Sequence, residues 1–306
     1  MPSGSLDREA NARSIIDRAM ARSFDSSDLH FYLYDLAFLK GDAAGMERQM
    51  SWAAGEPAIA DLFLGHAADT LAFSGQVAQA REFTGRAVEA ALRAGEKETA
   101  AGYEVEAAQR EAFFVNSANA DHAAEQALAL AHDRDTRYGV ALALALAGSF
   151  DRANAIAVQL KKDFPDDTLV QFVYVPPVLG ALTIGRKHPD DAIQALHAAA
   201  PYELGVVAGL VPAYLRGRAH LDAGDGQSAA SEFNKILAHP GVLLNSPIAP
   251  LARLQLARAY RLQRRTNEAR TSYQDFLNRW KQADPDLPVL RAAKAEYIEI
   301  EAPPTR

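Results

Sequence analysis

Histidines and carboxylates are the residues here with chemistry to offer. The eight histidines stand at His30, His66, His122, His132, His188, His197, His220 and His239. None shows a ligand spacing such as His-Glu-x-x-His, so surface or packing roles are expected of them. The chain has no Cys, which excludes a disulfide, a thiol nucleophile and a Cys-ligated metal. It has no Gly-x-Ser-x-Gly elbow, no Gly-rich phosphate loop, no Val-Ala-Ile-Lys and no Asp-Phe-Gly. His132-Asp133-Arg134-Asp135 scrambles the letters of a His-Arg-Asp loop and lacks the Asn that should follow. The neighbouring carboxylates Asp166-Asp167 and Asp190-Asp191 fall where helices should start, and the helix dipole accounts for them without catalysis. No catalytic residue, cofactor site or metal site is expected.

Composition narrows the class. The 306 residues carry a formal net charge of −7, with 49% hydrophobic and 23% charged residues, which describes a globular chain. A sequence pI near 5.6 argues against nucleic-acid binding, which needs a basic stripe. No apolar run is long enough to span a bilayer, and MPSGSLDREANARS has no apolar stretch of the signal-peptide kind. Residues 1–6 read as a flexible start or tag, 7–300 as one repeat array, and 301–306 as a flexible tail.

The elements that would position any functional residue are helices. Ala is abundant, and apolar residues recur at three and four. Turn signals at Gly41-Asp42, Gly75-Gln76, Asn116-Ser117, Gly148-Ser149, Lys187-His188-Pro189, Gly224-Asp225-Gly226 and Arg264-Arg265-Thr266 divide them into pairs. The expected pairs are 27–40/42–54, 58–74/77–94, 97–116/120–132, 135–148/151–164, 167–186/189–199, 207–224/226–239 and 247–263/267–281, with end helices near 7–22 and 287–300. Val175-Pro176-Pro177 should delay or kink its helix, because proline removes backbone donors. The link Ala200-Pro201-Tyr202-Glu203-Leu204-Gly205 cannot be regular helix. It is either a hinge or contact loop, or a spacer in which Tyr202 plugs the gap between pairs, and the need for an apolar cover favours the plug.

A small residue followed about twelve positions later by Ala, and about four later again by a large residue, recurs in Gly217, Ala229, Phe233 and in Ala257, Ala269, Tyr273. This pattern resembles the tetratricopeptide repeat. It implies an all-α, right-handed superhelical solenoid of about seven helix pairs with capping helices. LRGRAHLDAGDGQSAASEFNKILAHPGV, LARLQLARAYRLQ, ARTSYQDFLNRWKQADPDLPVLRAAKAEY, the APYELG link and the earlier YDLAFLKGDAAGMERQMSWAAG resemble the helical-repeat region of acidobacterial serine/threonine protein kinases and related regulators. In that family the repeats follow a kinase or DNA-binding module and are thought to be sensory or scaffolding. The kinase motifs are missing from this chain. Arg264 and Lys187 stand where relatives favour Gly, so looser turns are expected there.

In a tetratricopeptide solenoid the first helix of each pair lines the concave face. Relative to each pair's small anchor, the positions three before are Phe31, Gly65, Ala108, Tyr138, Pro177, Tyr214 and Leu254. The positions one after are Asp35, Asp69, Ala112, Leu142, Ala181, Arg218 and Arg258, and Arg261 lies four after in the last pair. A graded groove is expected, with Phe31 among its lining residues: acidic at Asp35 and Asp69, aromatic in the middle at Tyr138 and Tyr214, basic at Arg218, Arg258 and Arg261. The competing reading makes these charges a solvated face and the tyrosines ordinary packing. The Lys and Asn clamp that chaperone-binding relatives use is absent, which argues against a chaperone-tail adaptor. The expected function is a non-catalytic protein or peptide scaffold, the sensory or interaction region of a bacterial signalling protein. The alternatives are a sensor of a small peptide or metabolite and, more remotely, a helical-toroid enzyme. The expected setting is cytoplasmic, or periplasmic if the parent carries an upstream membrane helix. Oligomeric state is left open.

Overall fold

A computed structural model describes residues 9–205 and 207–301. The expected flexible start lies outside them, as does the tail apart from helical Glu301. Among the described residues there are seventeen α-helices and no strand. In chain order they are α1 Glu9–Met20, α2 Ser27–Lys40, α3 Ala43–Ala53, α4 Ala60–Phe73, α5 Val77–Ala94, α6 Lys97–Phe113, α7 Ser117–Leu130, α8 Arg134–Ala147 and α9 Phe150–Asp163. Then come α10 Val175–Gly185, α11 Pro189–His197, α12 Val211–Asp222, α13 Gly226–Leu237, α14 Pro240–Leu243, α15 Ile248–Leu262, α16 Thr266–Arg279 and α17 Pro288–Glu301. The array is a tetratricopeptide-like solenoid, with α1 and α17 at its ends.

The helix pairs form for the reasons the pattern gives. Ala229, Ala257 and Ala269 are fully buried, and a Cβ on Gly217 would meet the Phe233 ring across its pair at 2.6 Å. Gly41, Gly75, Gly148 and Gly224 turn the chain with φ between 68° and 97°. Lys187 and Arg264 adopt φ of 66° and 60°, so their turns keep the left-handed geometry. The expectation of looser turns is corrected: the backbone is the same and the residues bear the Cβ cost. Asp133 accepts from the backbone N–H groups of Asp135 and Thr136, so the scrambled kinase motif is a helix cap. The prolines at 176 and 177 occupy the first turn of α10, and a π-helical turn, Leu169–Tyr174, absorbs the irregularity before them.

The solenoid coils tightly enough to touch itself, which the repeat pattern did not lead us to expect. One core runs without interruption from Ala68 to Ala293. Phe113 of α6 meets Tyr214 of α12 edge-on at 5.6 Å, and Phe114 meets Trp280 at 5.2 Å. Trp280 Nε1 donates to Phe73 O at 2.9 Å. The Asp284 N–H donates to Gly75 O at 3.0 Å, and its carboxylate accepts from the Ala78 N–H at 2.7 Å. Asp284 therefore caps α5 from the far end of the chain, where Gln76 makes no cap bond of its own. The second and third pairs thus close against the sixth and seventh. Ala108, Ala112, Leu142 and Ala181 face inward and are buried, so the inner walls collapse instead of staying wet.

The first pair stands outside this core. Ala12, Ile16, Leu29 and Leu36 make one small cluster, and Tyr34, Ala53 and Phe63 make another.

Candidate functional site

The closure leaves a cavity of about 310 Å³ between α4, α6, α8 and two connecting segments. Asp69, Glu106, Arg110 and Tyr138 supply its polar wall. The link after α11 contributes Val207–Gly209, and the segment around α14 contributes Val242 to Asn245. Asn245 holds the latter segment in place by donating to His66 O at 2.9 Å and to Thr70 Oγ1 at 3.1 Å.

Charge in this cavity is unevenly matched. Arg110 is almost wholly buried and gives one Nη to Asp69 at 2.5 Å and the other to Thr84 Oγ1 at 2.5 Å. Its charge is therefore committed to Asp69. Glu106 has no ion pair or hydrogen bond among the described residues, and its side chain keeps surface accessible within the cavity. Burial, reinforced by Asp69, pushes the Glu106 carboxyl up to about 7. Nearby, His66 Nε2 is 2.6 Å from Asp35 Oδ1. Burial alone would lower that imidazole, but the hydrogen bond and the charge of Asp35 outweigh it and leave it raised.

The eight expected groove residues do not form one surface. Asp69 and Tyr138 meet in the cavity just described. Tyr138 is buried and stacks on Tyr174 at 4.0 Å, with the planes 3° apart. Phe31 packs on Phe63 and His66, and Asp35 is buried against His66. Tyr214 is fully buried behind Phe113, where its hydroxyl accepts from Gln255 Nε2 at 3.3 Å. Arg218 and Arg258 line a separate cavity between α12 and α15. Arg258 is held in a fork by Glu296 at 2.8 and 2.7 Å, and Arg261 pairs with Glu299 at 2.7 Å.

Of Arg218, Arg258 and Arg261, expected as the basic end of the groove, the end helix α17 neutralises two. Arg218 alone has no ion pair among the described residues. Arg258→Glu would set a carboxylate against Glu296 in a partly buried place. We expect a loss of about 2–3 kcal/mol, read by urea unfolding, since a charge-assisted fork is broken and a repulsion takes its place.

Tyr202 also departs from expectation. It is 39% exposed and stacks on the equally exposed Phe172 at 5.8 Å, so it plugs nothing. The buried member of the link is Glu203, which is 3% exposed and bound by Arg216 and Lys235. Sequence reasoning missed Glu106, Arg110 and α14. The only available signal was the interval from Gly217 to Ala257, which exceeds one repeat of about 34 residues by several positions. Those extra residues are the inserted segment that floors the cavity.

No protein-family model matches the chain, and no curated protein matches it. Among solved structures, yeast Tom70 is similar at 14% identity and a TM-score of 0.49, over 96% of this chain and 59% of that one. The TPR domain of P58(IPK) is similar at 11% identity and a TM-score of 0.33, over 97% of this chain and 93% of that one. The chain thus spans less than two thirds of Tom70, and the fold assignment rests on its own helix pairs.

Proposed function

We propose that the chain is a non-catalytic recognition scaffold for a protein or peptide segment, which inserts a basic side chain into the Asp69–Glu106 cavity. The observation that carries this reading is Glu106: a solvent-accessible carboxylate on the cavity wall with no ion pair or hydrogen bond among the described residues, beside an Asp whose own counter-ion is already used. A lysine or arginine tip would supply the missing charge, and Tyr138 and Phe113 flank the entry for its aliphatic stem. A volume near 310 Å³ suits one side chain or a small ligand, not a helix. The resemblance to kinase-associated repeats makes this the interaction region of a bacterial signalling protein. The size of the cavity also suits the sensor reading, in which a small cationic metabolite takes the same place.

The test is a peptide array in which each lysine or arginine is exchanged for norleucine. Bound peptides should lose binding at one basic position, and Glu106→Gln should abolish the distinction. Peptides that bind equally well with norleucine throughout, or that need acidic residues, would sink the proposal. Binding should strengthen as pH rises through about 7, where Glu106 ionises. The unliganded chain should behave in the opposite sense. A carboxyl raised above its unfolded value contributes stability below the unfolded value and loses it as pH rises through the folded one. Glu106→Gln should therefore gain on the parent in melting temperature between pH 5 and pH 8.

A further inference from the structure

A second cavity, of about 530 Å³, lies where the first helix pair approaches the sixth and seventh. Its walls are apolar: Phe38, Met46, Phe73, Leu237, Leu244 and Ala249. Three cations also line it, Lys40, Arg253 and Arg279. One carboxylate serves two of them. Asp275 Oδ2 accepts from Arg253 at 2.7 Å, and Asp275 Oδ1 accepts from Arg279 at 3.1 Å. Lys40 has no ion pair among the described residues. The cavity therefore carries positive charge that the chain leaves uncompensated, at the edge of an apolar chamber.

We propose that this cavity binds a linear aliphatic carboxylate of medium chain length. A compact inorganic anion would satisfy the guanidinium groups and leave the apolar wall unused. A neutral hydrocarbon would fill the wall and leave two arginines sharing one counter-ion. Only a molecule with both parts meets both halves of the site. The arginine fork fits a carboxylate head in plane, and the chain lies along Phe38 and Phe73. Burial, and then the neighbouring Arg279, draws the Arg253 guanidinium below its ordinary value against the pull of Asp275. The occupant would also span the seam between the first pair, which has its own small cores, and the closed remainder.

This proposal is independent of the basic side-chain reading, which concerns a different cavity of opposite charge. Calorimetric titration of the full chain with sodium decanoate, below its micellar range, tests it. We expect saturable binding of one decanoate per chain, with 1-decanol binding at least about tenfold more weakly, because the charged head is lost. Arg279→Met should weaken decanoate about tenfold, and Ala249→Phe should fill the chamber and abolish binding. Lys40→Met, on the exposed rim, gives a smaller loss and remains informative if either of the other variants fails to fold. Absence of saturable decanoate binding to the parent chain overturns the proposal. So does equal binding of decanol, or binding indifferent to Ala249→Phe and Lys40→Met. A short peptide ending in leucine that outcompetes decanoate only with a free terminal carboxylate would replace the occupant with a chain terminus and overturn it as well. Glu106→Gln should leave decanoate binding unchanged, so failure here is distinguishable from failure of the peptide-scaffold reading.

Discussion

Trp280→Ala should cost about 3–5 kcal/mol and enlarge the radius of gyration, because one side chain both fills a core and joins the ends of the closed array. Trp280 is 2% exposed and lies against Phe114 and Phe276. Its indole N–H satisfies Phe73 O at the turn between α4 and α5. Truncation would remove the packing, leave a cavity and strip that carbonyl of its partner. Gly75 explains why the fit is close: a Cβ there would come within 3.0 Å of the indole and 2.5 Å of Ala283. Two measurements separate the effects. Urea unfolding reports the core loss, and X-ray scattering reports whether the second and seventh pairs part. Trp280→Phe should keep most of the packing and lose chiefly the hydrogen bond, about 1 kcal/mol, with unchanged dimensions. If Trp280→Ala unfolds at the parent's urea concentration and scatters identically, the closure is not held here.

Closure also explains why the helix pairs were legible in sequence while the site was not. Period and turn chemistry are local, and Gly217, Ala229, Ala257 and Ala269 carry them within one pair. The curvature of the stack is not local. It is the sum of small rotations between pairs, and it decides whether Phe113 reaches Tyr214 across the interior. Asp35, Asp69 and Arg258 were placed on inner faces from their register. In the structure each pairs with the next first helix or the end helix, at His66, Arg110 and Glu296. The small, apolar run Ala108, Ala112, Leu142 and Ala181 was the available sign that the middle of the groove would be dry. What a register argument cannot supply is the opposing wall. Glu106 acquires its significance only because Val207 and Asn245, from links distant in sequence, line the same cavity.

Arg216→Met should cost about 3–5 kcal/mol, comparable to the loss of Trp280, although it concerns charge and not volume. Arg216 is 3% exposed. It donates to Glu232 at 2.9 Å through both Nε and Nη2, and Nη2 also reaches Glu203 at 2.7 Å. Lys235 closes the network on Glu203. Methionine fills similar space and leaves the buried Glu203 and the partly exposed Glu232 to share one lysine. The penalty comes from the stranded groups, so adding Glu203→Gln to Arg216→Met should recover part of the loss, as a purely volumetric defect would not. This network fixes Glu203 and with it the link whose next residues, Val207 to Gly209, form the rim of the Asp69–Glu106 cavity. Loosening the rim should therefore weaken peptides that depend on a basic side chain while leaving decanoate binding untouched. An Arg216→Met protein with parental stability would show that the network is fully solvated in solution, and that the link is positioned by its apolar contacts alone.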